Sequence, residues 1–188
     1  MESKNNTILE TYRLYITTPS EQNFENLCKL QTNVTTMRLF GGVKTKKLIH
    51  ERMLFFMEHN KKYNLECGSV YSKESNEFIG IAGLNKLAFD DNEDRVEMVC
   101  LLLSEFWNKG YGMELCQALL NHGFNSLKLD QIYFTIAQEH FGSLAIAKKV
   151  NAIPRGEIDY LGEPKLLFAV KNYYTSAPKS IALLNTPT

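Results

Sequence analysis

Apolar residues change period several times along this chain, and each change marks an element. "TYRLYIT", Thr11 to Thr17, alternates apolar and polar positions and predicts a first strand. "PSEQNFENLCKLQ" opens with Pro19, Ser20 and Glu21, a helix-start signal, and places Phe24, Leu27, Cys28 and Leu30 on one helical face. After the Gly41-Gly42 break, residues 44–63 predict a second helix, with Leu48, Ile49, Arg52, Phe55, Phe56 and His59 recurring at three-and-four spacing. "LECGSVYS" and "EFIGIAGLNKL" read as two strands joined by the polar turn "KESN". "DDNED", residues 90–94, reads as a loop. "RVEMVCLLL", residues 95–103, becomes continuously apolar, as a strand does where both faces are buried.

The rest of the chain predicts a helix over 110–127, a strand in "QIYFTIA", a short helix in "HFGSLAIAKKV" and two strands around Leu161-Gly162. The helix 110–127 carries Leu115, Cys116, Leu119, Leu120, Gly123 and Leu127 on one side. The order is β-α-α-β-β-β-α-β-α-β-β. It implies an α/β fold: a mixed sheet, antiparallel at first, then a strand–helix–strand crossover, with helices on its faces. A single domain over residues 1–174 is expected, followed by a Ser-, Thr- and Pro-containing tail, 175–188.

Charge narrows the partners. Twenty-one basic and 21 acidic residues cancel, which argues against a nucleic-acid or anionic-membrane partner held by bulk electrostatics. No apolar run is long enough for a membrane span, and the start "MESKNNTILE" does not read as a signal peptide. Cys28, Cys67, Cys100 and Cys116 are scattered without a CxxC pair, so reduced thiols and a cytoplasmic location are expected. His50, His59, His122 and His140 show no ligand spacing, and no metal is expected.

The chemistry concentrates at Trp107-Asn108-Lys109-Gly110-Tyr111-Gly112, where the apolar strand breaks and a helix begins at once. A helix N-terminus leaves several N–H groups unpaired and carries partial positive charge. Glycines there let a phosphate approach the backbone closely. The pattern reads either as a diphosphate cradle, with Lys109 adding a charged contact, or as a plain chain reversal. It is neither a dinucleotide fingerprint nor a Walker loop: "GYGMEL" lacks the third glycine, and "GGVKTKK" lacks the first.

"VEMVCLLLSEFWNKGYGMELCQALLNHGF" resembles the acyl-CoA-binding core of the GNAT N-acetyltransferase superfamily. Together with "LETYRL" (9–14), "FIGIAGL" (78–84) and "FWNKGYGMELC" (106–116), it resembles the Rim-type branch, which acetylates ribosomal-protein N-termini. The likeness covers roughly residues 9–171. Trp107 stands where the wider superfamily has Gln or Arg. The branch's N-x-x-S is matched by His140-Phe141-Gly142-Ser143, with His140 in place of the asparagine, and Ala147 stands where many relatives have a tyrosine.

This resemblance implies a splayed strand pair, 95–103 and 131–137, gripping the pantetheine arm of acetyl-CoA. Backbone of Val99, Cys100 and Leu101 would bond the pantetheine amides. The amides of Asn108, Lys109, Gly110, Tyr111, Gly112 and Met113 would hold the diphosphate, and His140 and Ser143 would line the pantetheine side. Glu97 is the implied general base and Ser143 the donor to the leaving thiolate. The bland alternatives are an outward strand residue balanced by Arg95, and first-turn helix stabilisation. Glu157 and Asp159 are further acidic candidates. Cys100 reads as core rather than nucleophile, Phe55 and Phe56 read as core with one of them alternatively facing the acceptor groove, and "DDNED" would attract a cationic substrate or simply be solvated. The implied acceptor is a peptide N-terminus, with a small amine as the second reading and a non-catalytic CoA-binding module as a third. The chain is expected as a monomer or homodimer.

Overall fold

In a computed structural model, residues 7–87, 95–160 and 162–172 are described. The "DDNED" loop and the tail 175–188 lie outside them. One eight-stranded sheet runs in the order β1-β2-β3-β4-β5-β6-β8-β7. Its strands are β1 (Thr7–Glu10), β2 (Leu14–Thr17), β3 (Cys67–Ser72), β4 (Phe78–Lys86), β5 (Val96–Leu102), β6 (Gln131–Ile136), β7 (Ile153–Tyr160) and β8 (Glu163–Lys171). Its helices are α1 (Phe24–Gln31), α2 (Val34–Met37), α3 (Lys46–Tyr63), α4 (Tyr111–Asn125) and α5 (Phe141–Lys149). Every neighbouring pair is antiparallel except β5 with β6, which the α4 crossover makes parallel.

The start of the chain corrects the sequence reading. Thr11 to Thr17 is not one strand: β1 ends at Glu10 and β2 begins at Leu14. A tight turn closed by the Thr11 amide on the Leu14 carbonyl separates them. The helix expected from Pro19 onward begins as a 3-10 turn, Glu21–Asn23, before α1. The short α2, capped by the Asn33 side chain, has no counterpart in the periodicity. A single helical turn is too brief to show a period.

The main core lies between the sheet and α4. Leu14, Ile16, Val70, Ile79, Ala82 and Leu84 meet Leu115 and Leu119 there. A second cluster joins α5 to the same sheet face through Cys116, Phe134, Ile136 and Ala147. On the other face, α1 and α3 enclose Leu27, Cys28, Ile49 and Met53 against Ile81. The buried side of α3 is thus Ile49, Met53 and His59, whereas Leu48 and Phe55 point into solvent, correcting the expected face. Phe55 is not core; it leans on its neighbours Phe56 and His59.

Candidate active site

β5 and β6 touch at one register point, Glu97 opposite Tyr133. Beyond it each strand keeps its other partner: Val99, Cys100 and Leu101 pair only with β4, and Phe134 to Ile136 only with β8. The two strands therefore splay toward their C-terminal ends and leave backbone edges facing a gap. An unpaired inner edge in a sheet is a row of donors and acceptors open to a ligand.

The crossover sets the α4 N-terminus beside this gap. Gly110, at the N-cap, has φ +81°, a left-handed conformation in which glycine carries no Cβ penalty. Asn108 is also left-handed, φ +59°. Among the described residues, no protein acceptor takes the amides of Asn108 to Met113, and no side chain caps the helix. The first amide of this segment to bond inward is that of Glu114, to the Gly110 carbonyl. Six consecutive donors at the positive end of a helix dipole suit an anion.

Arg13 holds this segment in place, a role that sequence reasoning missed. Its Nε bonds Glu114 Oε2 at 2.7 Å, its Nη1 donates to the Lys109 carbonyl at 3.0 Å, and its guanidinium lies 4.4 Å from the centre of the Tyr111 ring. Glu114 also accepts from the Thr11 hydroxyl and the Arg13 amide. Burial alone would raise the Glu114 carboxyl, but these donors and the Arg13 charge hold it below the usual range. Trp107 anchors the other side, its indole N–H donating to the Leu102 carbonyl at 2.8 Å. Lys109 lies over the Phe106 ring. The turn between β1 and β2 is thus bolted to the cradle across about a hundred residues of chain. Arg13→Ala is expected to leave the fold intact and weaken coenzyme A binding about tenfold, measured by calorimetry.

Glu97 sits at the apex of the splay, 2% exposed. Its Oε1 accepts from the Tyr160 hydroxyl at 3.0 Å and its Oε2 from the Thr135 hydroxyl at 3.1 Å. Burial pushes its carboxyl up to about 7, against the opposing pull of those two donors. It is therefore not an outward strand residue. Arg95 instead lies over the Tyr133 ring. Tyr160 and Thr135, neither singled out in the sequence, are what orient this carboxylate. Burial, reinforced by Glu97, also raises the Tyr160 phenol, so it stays a donor.

Ser143 lies in the first turn of α5. Its amide donates to His140 Nδ1 at 3.2 Å, so His140 caps the helix as an asparagine would. Burial lowers the His140 pKa, which keeps the ring neutral and able to accept that bond. The imidazole packs edge-on to Phe40, 5.5 Å between centres. The Ser143 hydroxyl has no partner among the described residues. α5 packs on the same sheet face as α4, through Phe134 and Ile136. Strand alternation puts Glu97, Tyr133 and Thr135 on the opposite face. Glu97 and the helix that carries Ser143 thus lie on opposite faces of the sheet.

The remaining acids do not join them. Asp159 accepts from the Gly162 amide at 2.7 Å and closes the β7–β8 turn. Glu157 is exposed and accepts from Gln138. Cys100 is no nucleophile, since burial pushes its thiol up to about 12.

A family model for the acetyltransferase (GNAT) domain matches residues 13–152. The chain belongs to the GNAT acetyltransferase family. This GNAT chain is 31% identical over 83 residues to the uncharacterized N-acetyltransferase p20 of Bacillus licheniformis, covering 44% of the chain and 46% of that protein. It is 25% identical over 147 residues to the uncharacterized N-acetyltransferase YoaA of Bacillus subtilis, covering 77% of the chain and 81% of that protein. The match thus spans less than half of the first relative and most of the second.

The same GNAT fold is seen in the acetyltransferase of Bacillus anthracis, with a TM-score of 0.70 at 22% identity over 87% of this chain and 97% of that one. It recurs in a ribosomal-protein α-N-acetyltransferase solved with coenzyme A (TM-score 0.71, 15% identity, 88% and 97% coverage). A spermidine N-acetyltransferase of Vibrio cholerae, solved with coenzyme A and spermine, has a TM-score of 0.68 at 14% identity, with 84% and 95% coverage. At such identity these likenesses concern fold alone. No helix among the described residues is long and apolar enough to cross a membrane.

Proposed function

We propose that the chain transfers the acetyl group of acetyl-CoA to a protein N-terminal α-amine. The observation that carries this reading is the run of unpartnered amides from Asn108 to Met113, opening beside a splayed strand pair whose apex holds a buried carboxylate. When bound, the coenzyme supplies an activated acyl thioester. The cradle fits its diphosphate: the amides are open, and glycine at Gly110 leaves them uncovered.

Glu97 takes the proton that an ammonium must lose before its nitrogen has a lone pair. Raised to about 7, its carboxyl is close to half ionised at neutral pH. Moving a proton to it from an α-ammonium of pKa ~8 costs ~1.4 kcal/mol, against ~4.6 kcal/mol from a lysine-like amine of ~10.4. That difference favours an α-amine over a polyamine, as does the resemblance to the Rim-type branch. Nitrogen then bonds the acyl carbon as the carbon–sulfur bond breaks, and the second proton it sheds passes to the departing thiolate. The Ser143 hydroxyl donates a hydrogen bond to the departing thiolate from the far face of the gap. Ser143→Ala is expected to lower kcat about tenfold with a smaller loss of coenzyme A affinity and an intact fold, because the α5 cap uses only the residue's amide. Steady-state kinetics and calorimetry read the two separately.

The deciding experiment measures thiol release from acetyl-CoA over N-terminal peptides, polyamines and aminoglycosides. Peptides turned over with the highest kcat/KM support the proposal. Preference for a polyamine would shift the acceptor to the small-amine reading, and tight coenzyme binding without release over any amine would leave a binding module.

A further inference from the structure

The Glu97 carboxylate has a neighbour to which neither the sequence nor the family match gives a role. Asn85 stands directly across the β4–β5 ladder from it. Residues paired in this way share a sheet face, with Cβ atoms roughly 5 Å apart. Asn85 is 3% exposed, yet its Oδ1 accepts no hydrogen bond among the described residues. The two hydroxyls near the apex are already committed, since those of Tyr160 and Thr135 both donate to Glu97. Leaving a buried carbonyl oxygen unpaired costs about 1–3 kcal/mol. Buried polar atoms without partners are uncommon enough to call for an explanation.

Both side chains in this rung offer acceptors, and the missing complement is a donor. A neutral primary amine has two N–H groups and one lone pair. We infer that Asn85 is a binding residue for the acceptor amine: once Glu97 has passed the ammonium proton on to water, Asn85 Oδ1 takes one N–H of the neutral amine, the Glu97 carboxylate takes the other, and the lone pair is left aimed at the thioester. This rests on the proposed acetyl transfer and adds that the site selects primary over secondary amines. A secondary amine has a single N–H and leaves one of the two acceptors unpaired.

The test compares kcat/KM for a peptide with a free N-terminal amine against its N-methyl counterpart. The wild-type enzyme is expected to favour the primary amine by about 10–100-fold, the range that one buried unpaired acceptor implies. Asn85→Leu removes the acceptor and is expected to raise KM for the primary amine and shrink the preference to within about threefold. Circular dichroism and coenzyme A calorimetry check that the variant is folded and loaded. Asn85→Asp keeps an acceptor oxygen, so it should retain the preference; it serves also if the leucine variant does not fold. A wild-type enzyme indifferent to N-methylation overturns the inference, and so does an undiminished preference in Asn85→Leu, which would mark simple steric exclusion. If peptides are not acetylated but a polyamine is, the N-terminal reading falls by itself. The same ratio taken with the polyamine and its N-methyl derivative then decides the role of Asn85.

Discussion

Glu97→Gln is expected to lower kcat about 100-fold or more while making the protein more stable above pH 7. The first effect is what loss of the proposed general base implies, since such a group typically contributes 10²–10⁴-fold. The second follows from burial. In the unfolded chain this carboxyl ionises near 4.5, but in the fold only near 7. Between those values the folded state holds more protons than the unfolded state, so stability falls as pH rises. Above about pH 7 the loss is complete, about 3 kcal/mol. Glutamine carries no charge, and its amide can still accept from Tyr160 and bond Thr135. In a domain of this size the gain corresponds to roughly 5–10 °C in Tm at pH 8. It should vanish below about pH 4.5, where both states of the wild type are protonated. Thermal melts across pH 4–9, beside the pH dependence of kcat/KM, check both halves. The wild-type rate should rise through about pH 7, and the variant should keep only the titration of its substrate. A gain over the wild type no larger at pH 8 than at pH 4 would mean that Glu97 ionises in the fold as it does in the unfolded chain and that its burial costs nothing.

Gly110→Asp carries the other large effect. The position has a left-handed backbone, and a Cβ there would lie 3.3 Å from Arg13 Nη2. Aspartate tolerates that backbone better than most residues. Its carboxylate would stand at the mouth of the open amides and compete with Glu114 for Arg13. Negative charge in an anion site, together with a loosened cradle, is expected to reduce coenzyme A affinity at least 100-fold, with circular dichroism unchanged. Gly110→Ala separates the causes: it keeps the backbone strain without the charge and should lose less. Calorimetry with coenzyme A reads both, and undiminished affinity in the aspartate variant would place the diphosphate elsewhere.

How the site could be read in advance varied with the kind of interaction. The α4 start was legible because a strand break, two glycines and a resumed helical period are local, and local geometry dictates which amides lack partners. Arg13 and Glu114 were not. Each looks like an ordinary surface charge in its own segment, and only the sheet order brings β2 to the α4 terminus. His140 was legible as a departure from a family asparagine, but its capping bond to Ser143 required coordinates. On α3, Phe55 fits the apolar spacing as well as Met53 does. Which side is buried depends on where α1 and Ile81 lie, and spacing within one helix does not carry that information.

Local sequence carried the order of strands and helices from α3 onward, the strand–helix–strand crossover through α4 and the glycine-rich start of that helix, because these follow from backbone sterics and from periods only a few residues long. Only long-range packing sets the parting of β5 and β6 beyond one rung, brings the Tyr160 and Thr135 hydroxyls onto Glu97 with Asn85 across the ladder from it, and takes this carboxyl out of water. Those facts depend on contacts between distant segments, and the desolvation that raises a buried acid is set by everything packed around it rather than by its neighbours in the chain.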